Sequence, residues 1–169
     1  MRVASLEAVA RALNDREVPF LVVGGLAVNA HGYGRMTHDV DLVVKLTAEH
    51  VRGAFAALAA LGYRPRVPVS AEGFADSAQR ARWIADKGMM VLNFHSDDHH
   101  ETPVDLFARE PFDFDEEYEG ALVEHLAPDV PVRILRLVTL LRLKREAARP
   151  QDLADVAELE LLHDEGRDD

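Results

Sequence analysis

Phe20-Leu21-Val22-Val23-Gly24-Gly25 and Arg35-Met36-Thr37-His38-Asp39-Val40-Asp41-Leu42-Val43-Val44 decide how this chain is read. Both hold an apolar, β-branched run of strand length. A glycine pair ends the first, a short helical piece from Leu26 to His31 follows, and two aspartates one residue apart open the second. Side chains on a strand alternate faces, so Asp39 and Asp41 point the same way, about 6 to 7 Å apart at Cα. Val40 and Leu42 point the other way, into a core.

Two carboxylates held that close repel, and a divalent cation or a shared proton relieves them. Magnesium takes oxygen ligands and is commonly held by one or two carboxylates together with substrate phosphates. Gly24 and Gly25 end a strand and open a helix, so bare amides at a positive helix end would face an anion with no Cβ in the way. Alone, the glycine pair reads as a turn and Asp-x-Asp as a solvated strand edge; in this order, with Arg35 and Thr37 just ahead, they read as a phosphate cradle beside a metal-holding pair. No Gly-Lys-Ser/Thr follows, so this is not a P-loop, and Gly32-Tyr33-Gly34 lacks the third glycine of a dinucleotide fingerprint.

Composition sets the frame. The chain has 169 residues, 48% of them hydrophobic, which suits one globular unit. No run of eighteen apolar residues exists, and Glu7 and Arg11 interrupt any leader, so a cytosolic (cytoplasmic) protein with no membrane partner is expected. With no cysteine, disulfides and thiolate metal sites are excluded. A net charge of −11 disfavours a long nucleic-acid footprint. Against it stands a basic belt of Arg133, Arg136, Arg142, Lys144, Arg145 and Arg149, flanked by the acidic run Asp113 to Glu119 and an acidic tail. It could serve a nucleoside triphosphate or a nucleic-acid end, or be the wet side of a helix.

The remaining elements follow from period and punctuation. Ser5 is the expected N-cap of a first helix to Asp15 carrying Leu6, Val9, Ala10 and Leu13, and Thr47 caps a second to Leu61, stopped by Gly62. Arg64 to Val69 is extended at most. Ala75 to Lys87 is predicted as one helix with Trp83 as a core anchor, and Met89 to Phe94 as a buried strand. Asp105 sits inside the apolar run Pro103-Val104-Asp105-Leu106-Phe107; buried and unpaired it would be costly, and sharing a metal with Asp39 and Asp41 removes that cost. Phe112, Phe114 and Tyr118 lie in what reads as an acidic loop, Val130 to Ile134 as an edge strand, and Leu135 to Ala148 as a helix. Lysine occurs only at 45, 87 and 144. Lys144, beside the apolar stripe of its helix, could reach a triphosphate or snorkel to water. Pro150 opens a last helix on which Asp152 and Asp155 share a face. His95, His99 and His100 could hold zinc or form a polar hairpin. The order of strands and helices predicts a mixed α/β (α+β) sheet flanked by helices, with a core over 1–129 and a C-terminal helical segment over 130–169 packed on it as one compact unit.

Strand, Gly-Gly, about a dozen residues, then Arg-x-Thr-x-Asp-x-Asp-Leu resembles the signature of the DNA polymerase β-type nucleotidyltransferase superfamily. Within it the chain is similar to the small AbiEii-like branch, many members of which are toxins of toxin-antitoxin pairs. The resemblance implies a nucleotidyltransferase fold and a magnesium- or manganese-dependent transfer of a nucleoside monophosphate from an NTP to an acceptor hydroxyl. It implies Asp39, Asp41 and Asp105 as catalytic and metal-holding residues. Nucleotide-binding residues would be Gly24, Gly25, Arg35, Thr37 and Lys144. Lys144, Arg149, Asp152 and Asp155 match a lysine helix followed by Arg-Pro-x-Asp-Leu-x-Asp that closes over the nucleotide in that branch; the roles of the two acids stay open. The acceptor could be a tRNA end, a protein or a small molecule. A toxin would have a cognate antitoxin, an antibiotic (aminoglycoside- or lincosamide-like) nucleotidyltransferase would not, and a non-catalytic nucleotide-binding regulatory module would bind without releasing pyrophosphate.

Overall fold

In the computed structural model, residues 1–165 are described; the end of the acidic tail lies outside them. The elements run α1 (Val3–Asn14), β1 (Phe20–Val22), α2 (Gly24–Ala30), β2 (Val40–Val44), α3 (Ala48–Ala60), β3 (Arg64–Pro65), α4 (Ala71–Ala75), α5 (Ser77–Lys87), β4 (Val91–His95), β5 (Val104–Phe107), α6 (Phe114–Gly120), β6 (Leu122–Ala127), β7 (Val130–Ile134), α7 (Leu137–Ala147) and α8 (Pro150–Glu165). The strands form one seven-stranded sheet in the order β3-β4-β5-β2-β1-β7-β6. β1 with β7 and β2 with β5 are parallel, and the other neighbours are antiparallel. The expected mixed sheet flanked by helices is therefore present. Among the described residues no helix is long and apolar enough to cross a membrane.

Alternation along the central strands builds two unlike faces. Leu92, Leu106 and Leu42 stand abreast on β4, β5 and β2 and are almost fully buried, with Val40, Val104 and Phe94 alongside. Each such side chain removed from water contributes about 1.5–3 kcal/mol. The apolar stripe of α1 (Leu6, Val9, Ala10, Leu13) and that of α3 (Val51, Ala54, Ala57, Leu58) belong to the same core, and α1 packs against α3. Trp83 is half-buried against it. The opposite face carries the polar residues taken up below.

Local signals explain most boundaries. Thr47 caps α3, its hydroxyl accepting from the His50 amide at 3.2 Å. Gly62 turns the chain with φ +75. Four expectations fail for identifiable reasons. α1 starts at Val3, and Ser5 is buried inside it, its hydroxyl meeting His99 Nδ1 at 2.9 Å. The helix predicted to begin at Ala75 begins at Ser77 and runs to Lys87, because the Asp76 carboxylate accepts from the Ala78 and Gln79 amides and starts α5 there, Ala75 closing the separate short helix α4. The supposed acidic loop contains α6: Asp113 caps it, accepting from Glu116 N at 3.0 Å, and the acids of its first turn favour the positive helix end. β7 is interior, because β6, unforeseen and largely exposed, takes the edge.

Candidate active site

The polar face of the sheet holds a row of side chains at one level. Asp41 on β2 stands directly opposite Asp105 on β5, and Asp105 opposite Asn93 on β4. Beyond β3, the Arg66 amide donates to the Asn93 carbonyl at 2.9 Å. On the other side, Val23 N donates to the Asp41 carbonyl at 3.0 Å, which sets Gly24 beside the row. Asp39 lies on the bend just before β2 rather than within the strand, yet its charge acts on both Asp41 and Asp105. The row opens into a cleft of about 670 Å³ whose walls include Gly24, Asp41, Asp105, Lys144, Arg149 and Asp152. Gly25, Arg35, Thr37 and Asp39 stand beside this cleft without lining it.

Electrostatics concentrate on Asp41. Burial, then the charges of Asp105 and Asp39, push its carboxyl up to about 6, against the pull of Lys144 and Arg149. Burial also raises Asp105, opposed by the hydrogen bond from Asn93 and by Arg66. Asn93 Nδ2 donates to Asp105 Oδ1 at 2.5 Å. That leaves Asn93 Oδ1, and His95 Nδ1 two residues on, buried without a partner. A half-buried group of like charges has two remedies, a proton or a cation, and hard carboxylate oxygens are the donor set of magnesium and manganese. The residues therefore fit such an ion through Asp39 and Asp41. Among the described residues no three histidine, cysteine or carboxylate side chains converge on one ion-sized point. The same observation gives His95, His99 and His100 no common metal point; His99 is stacked on Tyr63 instead.

The glycine pair is fixed by contact as well as conformation. Gly24 has φ +61, and a Cβ added there would overlap Asp41 Oδ2 and lie 2.7 Å from Asp41 Cγ. A Cβ on Gly25 would lie 2.6 Å from Thr37 Oγ1. Thr37 thus packs on the start of α2, and Val23, the residue before the helix, offers no side-chain cap to its first amides.

Arg35 and Lys144 are committed to the protein's own acids. Arg35 makes a forked pair with the fully buried Asp155, at 2.7 and 2.9 Å. Lys144 Nζ is 2.7 Å from Asp155 Oδ2 and 3.0 Å from Asp152 Oδ1, and Arg149 Nε donates to Asp152 Oδ2 at 2.6 Å. Asp152 and Asp155, left without a role by the sequence, are the two anions that hold three cations together. Ala148, with φ +50, makes the sharp turn between α7 and α8 that lets residues 144 and 152 meet. The rest of the basic belt is also spent: Arg136 on Glu116 and Glu117, Arg142 on Glu146, Arg145 on Glu160, and Arg133 on the Tyr118 carbonyl and ring.

Sequence reasoning missed Asn93. The available signal was the one that marked Asp105, a polar residue inside an apolar strand run.

No protein-family model matches the chain, and no curated protein matches it in sequence. Two solved structures of one protein share its fold. A crystal structure of ANT(2'')-Ia in complex with adenylyl-2''-tobramycin aligns with a TM-score of 0.54 at 16% identity, covering 93% of this chain and 86% of that one. A solution structure of the antibiotic-resistance factor ANT(2'')-Ia aligns with a TM-score of 0.59 at 17% identity, covering 98% and 91%. At such identity the likeness establishes the nucleotidyltransferase fold.

Proposed function

We propose that the chain is a nucleotidyltransferase that moves a nucleoside monophosphate from an NTP to an acceptor hydroxyl and releases pyrophosphate. The observation that carries this reading is Asp41 and Asp105 abreast on parallel strands at one cleft with Gly24 against Asp41, and Asp39 beside it two residues ahead. Asp39 and Asp41 would hold magnesium or manganese, which when bound supplies Lewis-acid stabilisation of phosphate oxygens. Gly24 and Gly25 leave the start of α2 open to the phosphates. Asp105 Oδ2, the oxygen that Asn93 does not engage, takes the acceptor's proton as its oxygen bonds the α-phosphorus and the α–β bridge breaks. Thr37 and Arg35 hold the segment leading to Asp39.

For the acceptor, two observations favour a small cationic molecule over a tRNA end. Apart from Arg149, the basic belt is paired within a chain of net charge −11, so little positive surface is left to grip a long polyanion. ANT(2'')-Ia, which shares the fold, was solved with an adenylylated antibiotic. The toxin reading rests on the motif alone and needs a protein or tRNA target and a cognate antitoxin. A non-catalytic regulatory module has no use for three clustered acids.

The test is incubation with each labelled NTP and magnesium, offered either a panel of amino-sugar antibiotics or a cell extract. Label should pass to a small molecule with matching pyrophosphate release, and Asp39→Asn should abolish it without unfolding the protein. Label appearing in tRNA or protein would select the toxin reading. NTP binding without pyrophosphate in every arm would leave only the regulatory module.

A further inference from the structure

The matching motif points to Lys144 as the cation that meets the nucleotide, but its surroundings argue otherwise. Its ammonium has three N–H donors; two go to Asp152 and Asp155, and the side chain is 8% exposed. Moving it onto a ligand would take one cationic partner from each of two buried carboxylates, leaving Asp155 to Arg35 and Gln151 and Asp152 to Arg149 alone. Arg149 is the opposite case. It lines the same cleft, its side chain is 77% exposed, and Asp152 engages only its Nε at 2.6 Å and, at the limit of bonding, Nη2 at 3.5 Å. Among the described residues nothing bonds its Nη1, so both of that nitrogen's N–H bonds are open to a ligand. The forked contact to Asp152 fixes the guanidinium plane beforehand, which lowers the entropy lost when a second anion binds. Arg149 is also close enough to act on Asp41 through space, so its open edge and the acid row address one space. The other exposed arginine of the cleft, Arg109, follows β5.

We propose that Arg149 is the residue that binds the nucleotide's terminal phosphates, presented by Asp152, and that Lys144 is a buried positioning residue which holds Asp152 and Asp155 in place. This rests on the nucleotidyltransferase reading and refines it. The five-member chain Arg35–Asp155–Lys144–Asp152–Arg149 carries one net positive charge, and it reaches the cleft through Arg149.

Equilibrium dialysis of labelled ATP and GTP, and of AMP and GMP, against the full-length protein with magnesium tests this. Arg149→Ala should weaken triphosphate binding tenfold or more and leave monophosphate binding within twofold, because only the terminal phosphates lose a partner. Arg52→Ala, which removes an equal charge paired only with Glu72 on the protein's surface, should change neither. Lys144→Met should weaken triphosphate binding less than Arg149→Ala does in the fraction that folds, judged by circular dichroism. Unchanged triphosphate affinity in Arg149→Ala, an equal loss for monophosphate, or a loss confined to Arg109→Ala would overturn the assignment while leaving the enzyme reading intact. A wild-type protein that binds no NTP would remove both.

Discussion

Replacing Gly24 by alanine tests the contact on which the acid row depends. The residue has φ +61, which costs an L-residue about 1–2 kcal/mol. The new methyl would also overlap Asp41 Oδ2 and come within 2.7 Å of Cγ, and Asp41 must leave its rotamer or β2 must shift, a further 1–2 kcal/mol or so. A loss of about 3 kcal/mol is expected, which for a chain of this size lowers Tm by roughly 6–12 °C. Two assays separate the two parts. In urea unfolding, the same substitution in an Asp41→Ala background should cost only the backbone share, leaving a coupling of about 1–2 kcal/mol between positions 24 and 41. In turnover well below the Tm, Gly24→Ala should lose about 100-fold in kcat because the carboxylate has been displaced. Strictly additive stabilities together with wild-type turnover would refute the claim that the glycine exists to let Asp41 in.

Two further outcomes follow from charges on the same face. With its carboxyl raised to about 6, Asp41 binds a proton in the folded chain between about pH 4 and 6 where the unfolded chain has released it. Its contribution therefore favours folding below that window and is lost as pH rises through it; in EDTA, Asp41→Asn should gain up to about 3 kcal/mol at pH 7.5 and flatten the slope between pH 4 and 6 in denaturant titrations. An Asp41→Asn protein no more stable than wild type at pH 7.5 would contradict that burial. Asp155→Ala leaves Arg35 and Lys144 facing an empty buried position and should cost about 3–5 kcal/mol; a loss under 1 kcal/mol in chemical denaturation would show that the ion chain is dispensable.

The parts legible in the sequence are those set by neighbours along the chain. Alternation in Asp39-Val40-Asp41-Leu42 told which residues face the core, and Thr47 and Gly62 marked the two ends of a helix, because those signals act over four residues or fewer. Asp105 could be read as belonging beside Asp41 because a lone carboxylate in an apolar strand needs company. What stayed hidden depends on partners far apart in sequence. Nothing local reveals that Arg35 ends on Asp155, 120 residues away, that Arg136, just before α7, is matched by Glu116 and Glu117 of α6, or that Arg145 of α7 is matched by Glu160 of α8. The edge strand β6 hid for another reason: its residues are mostly exposed, so it carries no hydrophobic alternation to read.

The row of Asn93, Asp105 and Asp41 has one consequence for how the chain must assemble. Each strand supplies one member, and on each the next residue toward the carboxyl end of β5 and β2 is a leucine of the buried row. Sliding β5 by a single position would turn Asp105 into the oily side and Leu106 out toward the cleft. A misthreaded molecule thus forfeits its solvent-shielded seam and its acid row in one stroke.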